Sequence, residues 1–381
     1  MVKKLIFVAL IFIISYFIIF EKKDNNNKII IGSSLAYSGS PKSWGENVDN
    51  AVNAYFSYVN NNNLLNDKQI EFLALDDKYE PSLTYENVKS ILDKNILSFF
   101  GVVGTPTIRR VMPIFQDNGI PFFSPFSGAS FLRDKEFENI INFRASYKQE
   151  IENIIDYVVN NKKLSKISIF YQNDEYGEDG YISTLQTMKD ENLDLHSAGT
   201  YKRNTLSINH AFNEIKNSKP EVVLLIGAYQ ANSLFIKRAK NDELLKNILF
   251  CNISFSDANS IIKDLEDSNI DTSNIIFSNV VPNYNDKTLK IVQEYQNIIQ
   301  EYGKNKDLGF ISFEAFLTSK ILVDAISRLD GKYSHKNLIN SLKNPPKDLL
   351  YEIKLEFKNQ QLLNSTYLFE YKNGNFQEIL K

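Results

Sequence analysis

The residues best placed to do chemistry in this chain stand in "GTPTIRR", where Gly104-Thr105-Pro106-Thr107 joins the apolar run "ILSFFGVVG" to a segment of helical spacing. The first amides of a helix have no partners within it, so such a junction is a socket for a polar or anionic group. Its hydroxyls suit a helix cap or a ligand contact, and the sequence leaves both open. Similar polar sets close other apolar runs: Ser33-Ser34 with Trp44 beyond, Asp76-Asp77, Ser124-Pro125-Phe126-Ser127-Gly128, Tyr176 in "QNDEYG", Tyr229 in "GAYQ" and Ser254 in "NISFSD". Hydroxyls, amides and rings of this kind hold a small molecule by its polar end and its apolar body. They do not make a catalytic set. Ser124 and Ser127 are the candidate nucleophiles, but neither sits in a nucleophile elbow and no histidine is placed to serve them. Adjacent Asp76 and Asp77 point to opposite faces of a strand, so they are expected to hold backbone amides at a turn rather than work as an acid/base pair. Arg109 and Arg110, just beyond the socket, are expected on the solvated surface.

Composition narrows the classes further. The chain has 381 residues, 43% of them apolar, with 27 Phe and 20 Tyr. That is enough for more than one core, and two domains are expected. The 43 basic and 46 acidic residues give a net charge of −3 with neither sign concentrated, so no nucleic-acid partner is expected. Cys251 is the only cysteine, and the histidines His196, His210 and His335 are scattered. A disulfide framework and a metal site are therefore not expected, and no nucleotide or cofactor motif is present.

These residues must be positioned by an alternating framework. "KIIIGSS", "QIEFLALDD", "ILSFFGVVG" and "IPFFSPF" read as strands, separated by helices over 44–60, from Pro81, and over 105–117. The alternation resumes after Asn142. Helices are expected over 147–160, 176–190, 206–217 and 230–241, between the strands "KISIFYQ", "LHSAGTY", "EVVLLIG" and "ILFCNIS". Two such runs define an α/β protein of two lobes, each a parallel sheet flanked by helices. "NIIFSNVVPNY", helices over 286–302 and 309–329, and a strand pair "LYEIKLEFK" and "STYLFEYKNG" complete the lobes rather than forming a third. The expected division is 28–145 with 280–350 for one lobe and 146–279 with 351–381 for the other. In open sheets ligands bind beyond the carboxyl ends of the strands, where all the polar sets above fall.

Residues 1–24 read as an export segment. Two lysines precede an apolar run, Leu5 to Phe20, broken only by Ser15 and Tyr16. The charge pattern is that of an export signal, and the expected location is periplasmic or extracytoplasmic. No A-x-A-like site and no cysteine follows the run, so the leader either stays as a membrane anchor or is cleaved at an atypical site.

The succession "GSSLAYSGSPKSWG", "LDDKYEP", "VVGTPTIRRVMPIF", "IPFFSPFSGASFLRD", "NFRASYKQE", "IFYQNDEYGEDG", "YKRNTLSI" and "VVLLIGAYQ" resembles the type I periplasmic solute-binding proteins, within them the branched-chain amino-acid-binding branch of ABC importers. The resemblance runs from about Lys28 to Leu329. It implies two Rossmann-like lobes joined by three crossovers, a ligand between them, and no catalysis or cofactor. It makes Trp44 an aromatic wall. Thr105, Pro106 and Thr107 become a grip on a ligand carboxylate, and Phe126, Ser127 and Gly128 a second gripping loop. Tyr176 and Tyr229 are the far-lobe residues that close over the ligand, and Phe310 lines its side-chain pocket. Where amino-acid binders of the family hold the α-ammonium with an acid, this chain has Ser254, with Asp257 about a turn further on. The expected function is a monomeric receptor that binds a small polar or amino-acid-like ligand by hinge closure and feeds an inner-membrane ABC permease. The alternative is a sensing subunit for a membrane histidine kinase or chemoreceptor.

Overall fold

The computed structural model describes residues 27–380; the leader expected over residues 1–24 lies outside them. No helix among the described residues is long and apolar enough to cross a membrane. One sheet holds β1 (Lys28–Leu35), β2 (Gln69–Asp76), β3 (Ser98–Phe100), β4 (Phe122–Phe123) and β5 (Ile140–Ile141), in the order β2-β1-β3-β4-β5. All its pairings are parallel, and β1 runs in register with β2 from Lys28↔Gln69 to Leu35↔Asp76. Between these strands run helices α1 (Lys42–Asn61), α2 (Pro81–Leu92) and α3 (Thr105–Asn118). α1 buries Ala51, Val52, Ala54, Tyr55, Phe56 and Val59, the apolar face its spacing predicts.

The second sheet holds β6 (Ile167–Gln172), β7 (Ser197–Tyr201), β8 (Val222–Ile226), β9 (Leu249–Asn252), β10 (Ile275–Asn279), β11 (Tyr367–Lys372) and β12 (Asn375–Glu378). Its order is β12-β11-β10-β9-β8-β6-β7, parallel except that β11 pairs antiparallel with both β10 and β12. Its helices are α4 (Tyr147–Asp156), α5 (Glu175–Asp190), α6 (Asn209–Ser218), α7 (Tyr229–Lys240) and α8 (Ala258–Glu266). The chain then returns to the first sheet. Helices α9 (Lys290–Tyr302) and α10 (Phe310–Ser327) pack on α1, and α11 (His335–Lys343) packs on α10 and β5. β8, with all five residues buried, shows why these strands read as unbroken apolar runs: helices cover both faces. The lone cysteine, Cys251, is fully buried in β9, and burial pushes its thiol up.

Several elements differ from expectation, the short strand β5 among them. "LYEIKLEFK" is not a strand: its Leu350, Ile353 and Leu355 are buried, but its backbone turns back on itself through Glu356 N–H to Leu362 O and Lys358 N–H to Gln361 O. The hairpin is instead β11 with β12, joined at Asn373-Gly374, both at positive φ as a tight hairpin turn requires. Helices α8 and α11 were not expected; each is short and set by a cap, Asp257 accepting from Ser260 N–H and Ser334 from Asn337 N–H.

Both sheets end their strands towards the same interlobe region, and Gly104 is where the first sheet turns into α3. It holds φ +100°, and a Cβ there would stand 2.3 Å from Tyr79 Cε2. Gly104→Ala is therefore expected to cost about 3 kcal/mol or more, from backbone strain and clash together, read as a shift in denaturant midpoint.

Candidate functional site

Where the chain leaves β5 for α4, Arg144 is fully buried. Its Nε stands 3.4 Å from Glu314 of α10, and its guanidinium lies over the Trp44 ring at 5.3 Å. It also donates to Ser254 Oγ. Ser254 in turn donates from N–H and Oγ to the Glu150 carboxylate of α4, at 2.7 and 2.8 Å. One buried cation thus joins both lobes and two carboxylates. Burial works against the charge of Arg144, but Glu314 and then Glu150 hold it protonated and push its pKa up. Burial drives Glu314 up to about 7, against the pull of Arg144.

Around this cluster the two lobes meet in aromatic packing. Trp44 stacks on Phe255 at 5.2 Å and 20°, and its Nε1–H donates to the Phe255 carbonyl at 3.0 Å. Tyr176 lies 4.8 Å from the Phe255 ring, Tyr79 6.3 Å and Tyr147 6.5 Å, while Phe126 flanks Trp44 at 5.4 Å. Trp44, Thr105, Thr107, Phe126, Ser127 and Tyr176 are all at most 1% exposed. The space they frame is taken by the chain's own Phe255, a residue that the sequence reading passed over in favour of its neighbour Ser254. Arg144 Nη1 and the hydroxyls of Tyr147 and Tyr176 are buried without a hydrogen-bond partner among the described residues. Thr105, Ser127 and the Gly128 amide stand close enough to act on the Tyr147 hydroxyl, and Ser256 on that of Tyr176.

The "GTPT" junction is buried but is not a hydroxyl cap. Thr107 Oγ1 donates backwards to the carbonyls of Val103 and Gly104, and Thr105 Oγ1 pairs with Ser127 Oγ at 2.8 Å. No side chain caps the α3 amides. The hydroxyls tie the two loops together, and Pro106 opens the helix where its missing N–H is harmless. At Gly128 a Cβ would meet Tyr147 Cδ1 at 2.4 Å, so this glycine makes room for the tyrosine. Tyr229 is only half-buried and faces a separate interlobe cavity. Phe310 turns its ring away from Trp44 onto Tyr284, Phe369 and Phe376. Asp76 and Asp77 hold turns as expected. Asp76 accepts from the Tyr37 and Lys78 amides, and Asp77 from Ser34, Thr84 and the Tyr79 amide. Arg109 and Arg110 are exposed and lie over Phe131 and Tyr85.

The rim adds polar links between lobes. Arg203 Nη2 reaches Glu80 at 3.0 Å, and Asn204 bonds Glu80 Oε1 and the Ser40 amide. Asp179 accepts from Ser130 N–H at 2.7 Å on the opposite side. Arg144, Glu150 and Glu314 were missed in the sequence. Glu314 carried a signal, since an acid inside the apolar run "FISFEAFL" needs a buried partner.

Two doubly wound lobes closed over a polar, ring-lined cleft define a two-lobed binding protein. A family model described as periplasmic binding protein matches residues 28–375. The chain belongs to that family, with the type I fold. A possible leucine/isoleucine/valine-binding protein from Rhodopirellula baltica is similar over 93% of this chain and 96% of its own, at 29% identity and a TM-score of 0.86. Among curated relatives, Leu/Ile/Val-binding protein homolog 3 of Brucella melitensis is 22% identical over 39% of this chain, and receptor-type adenylate cyclase B of Leishmania donovani 26% identical over 41%. The matches span only 41% and 12% of those two proteins' lengths.

Glu314 makes the cluster sensitive to pH. Its folded pKa of about 7 lies above the ordinary 4.5, so between these values the folded state holds a proton that the unfolded state has released. Stability from this group is greatest at low pH and falls as pH rises towards 7. Glu314→Gln is expected to flatten the decline of Tm between about pH 5 and 7 relative to wild type. Asp77, which burial pushes up to about 6, acts in the same sense in both proteins and cancels in the comparison.

Proposed function

We propose that the chain is an extracytoplasmic solute receptor, not an enzyme, that closes its lobes on a small polar, amino-acid-like ligand and presents the closed form to an inner-membrane ABC permease. The observation that carries this reading is the sealed interlobe cleft, where Arg144 Nη1, Tyr147 OH and Tyr176 OH are buried without a hydrogen-bond partner among the described residues. A buried donor left unpaired costs about 1–3 kcal/mol, so a ligand that accepts from these groups favours the closed form by differential affinity. Arg144 and the tyrosines suit an acceptor group such as a carboxylate. The aromatic wall of Trp44 suits an apolar body, for which the Phe255 ring must yield. The name of the Rhodopirellula relative agrees with an amino-acid-like ligand.

We assign the lobes to 28–145 with 280–350 and 146–279 with 351–381. The third passage is drawn out as far as Leu363, whose amide bonds the Phe143 carbonyl. Residues 1–24 act as the export leader in this reading, retained as an anchor or cleaved; the mass of the mature protein distinguishes the two. A second reading is a sensing subunit for a membrane kinase or chemoreceptor, favoured by the stretch shared with a receptor-type cyclase. Permease and ATPase genes adjoining the gene support the importer, and a kinase or chemoreceptor gene the sensor.

The test is a thermal-shift and Trp fluorescence screen of the full chain in mild detergent. The panel holds amino acids, aliphatic and aromatic carboxylates, amides and small amines. A ligand at about a hundredfold over its Kd is expected to add roughly 2.7 kcal/mol of stability. It is also expected to change the emission of Trp44, the only tryptophan, whose ring rests on Phe255. A panel that moves neither signal, in protein free of co-purified ligand, counts against a small-molecule receptor.

A further inference from the structure

Phe255 sits in the cleft as a ligand would. It stands on the short turn Ser254–Ser256 that follows β9, with a serine on each side of it, and is 1% exposed. Its ring enters a cage of four others, two from each side of the cleft. Trp44 and Tyr79 come from the lobe of the first sheet, and Tyr147 and Tyr176 from helices of the second. The main-chain carbonyl of the same residue accepts from Trp44 Nε1–H at 3.0 Å. One residue thus offers the facing lobe both an apolar ring and a hydrogen-bond acceptor, the two features that such a cleft asks of a small molecule.

The turn is anchored on both sides of the ring. Ser254 donates to Glu150 from its N–H and its Oγ, and Ser256 Oγ accepts from Asn232 Nδ2 at 3.0 Å. Further out, the rim is closed by the protein's own groups. Asn204 Oδ1 accepts from the Ser40 amide at 3.0 Å, and Asp179 accepts from the Ser130 amide at 2.7 Å. Each of these bonds joins one lobe to the other. Burial of a phenyl ring among other rings is attractive in itself, so the contacts that close the lobes are all supplied by the chain.

We infer that Phe255 is the resident occupant of the cleft: its ring holds the lobes closed in the absence of ligand, and a solute with an aromatic or bulky apolar body binds by displacing it. The inference rests on the receptor reading and adds a specificity-determining residue to it. A small polar solute that leaves the ring in place meets no such competitor, whereas a benzyl-sized body binds only the fraction of molecules whose cage is empty.

The test is hydrogen exchange of the full chain in mild detergent, free of co-purified ligand and read by mass spectrometry. The reporters are the amides of Ser40 and Ser130, which donate across the rim rather than into the cage. The amides of β8, buried within one lobe, report whether a variant stays folded. In unliganded wild type both rim amides are expected to exchange slowly. Phe255→Ala is expected to speed both by about tenfold or more while β8 stays protected, and benzyl alcohol, which supplies the missing ring, is expected to slow them again. Should β8 lose protection as well, Phe255→Leu carries the test, with a rise of about threefold or more expected at the rim alone. Fast rim exchange in unliganded wild type overturns closure on Phe255 and leaves the receptor reading to the wider ligand panel. Unchanged rim exchange in the folded variant overturns the role of Phe255 in closure. Faster exchange in Phe255→Ala that benzyl alcohol does not slow overturns its part as a stand-in for a ligand ring.

Discussion

A single buried guanidinium holds this architecture together. Arg144 sits where the chain first passes between lobes, and it is gripped by a glutamate from α10, by Ser254 beyond β9 and by the face of Trp44 from α1. Removing water from such a charge is expensive, and the protein answers with two carboxylates rather than one. Burial above all, with a smaller push from Glu150, drives Glu314 towards neutrality against the pull of Arg144. Buried charges of this kind add little net stability over an apolar replacement, but they are intolerant of displacement. They fix which groups face which when the lobes meet, so the positions of Trp44, Ser254 and Glu150 all follow from one side chain.

The aromatic packing around Phe255 has a different character. Rings tolerate small sliding motions, and Trp44, Tyr79, Tyr147 and Tyr176 surround Phe255 with stacked, tilted and edge-on contacts and one directional bond, from Trp44 Nε1–H to the Phe255 carbonyl. A lobe interface made of rings and a few rim links can open without breaking a sheet, since both sheets are complete in themselves. Hinge proteins need this division between rigid bodies and a yielding seam. In the proposed receptor, the balance between open and closed forms would depend on what completes the buried polar groups between the lobes.

Much of the fold was legible because each strand of a covered parallel sheet is a short apolar run and each helix shows one apolar face. The differences have separate causes. "LYEIKLEFK" alternates like a strand but meets no ladder; α8 carries a helical spacing in Ala258, Ile261, Ile262 and Leu265 beyond its Asp257 cap, and α11 buries only Leu338 and Leu342 beyond Ser334. The polar sets at strand ends were readable from spacing, and the structure brings Trp44, Thr105, Phe126, Ser127, Tyr176 and Ser254 into one region. What could not be read was partnership across the chain. Nothing near Arg144 in sequence announces Glu314, and nothing in "NISFSD" says that Phe255 enters the cleft instead of its own lobe's core. Periodicity reports which face is buried, not against what.

The lone cysteine has a practical consequence. Cys251 is enclosed in β9 with its thiol held in the unreactive protonated form, so the native surface is silent to thiol reagents. A pair of cysteines introduced on the outer helices of the two lobes would therefore accept donor and acceptor dyes without prior removal of a natural thiol. The molecule is in that sense already prepared as a distance gauge, in which the lobe movement proposed above would become an optical signal.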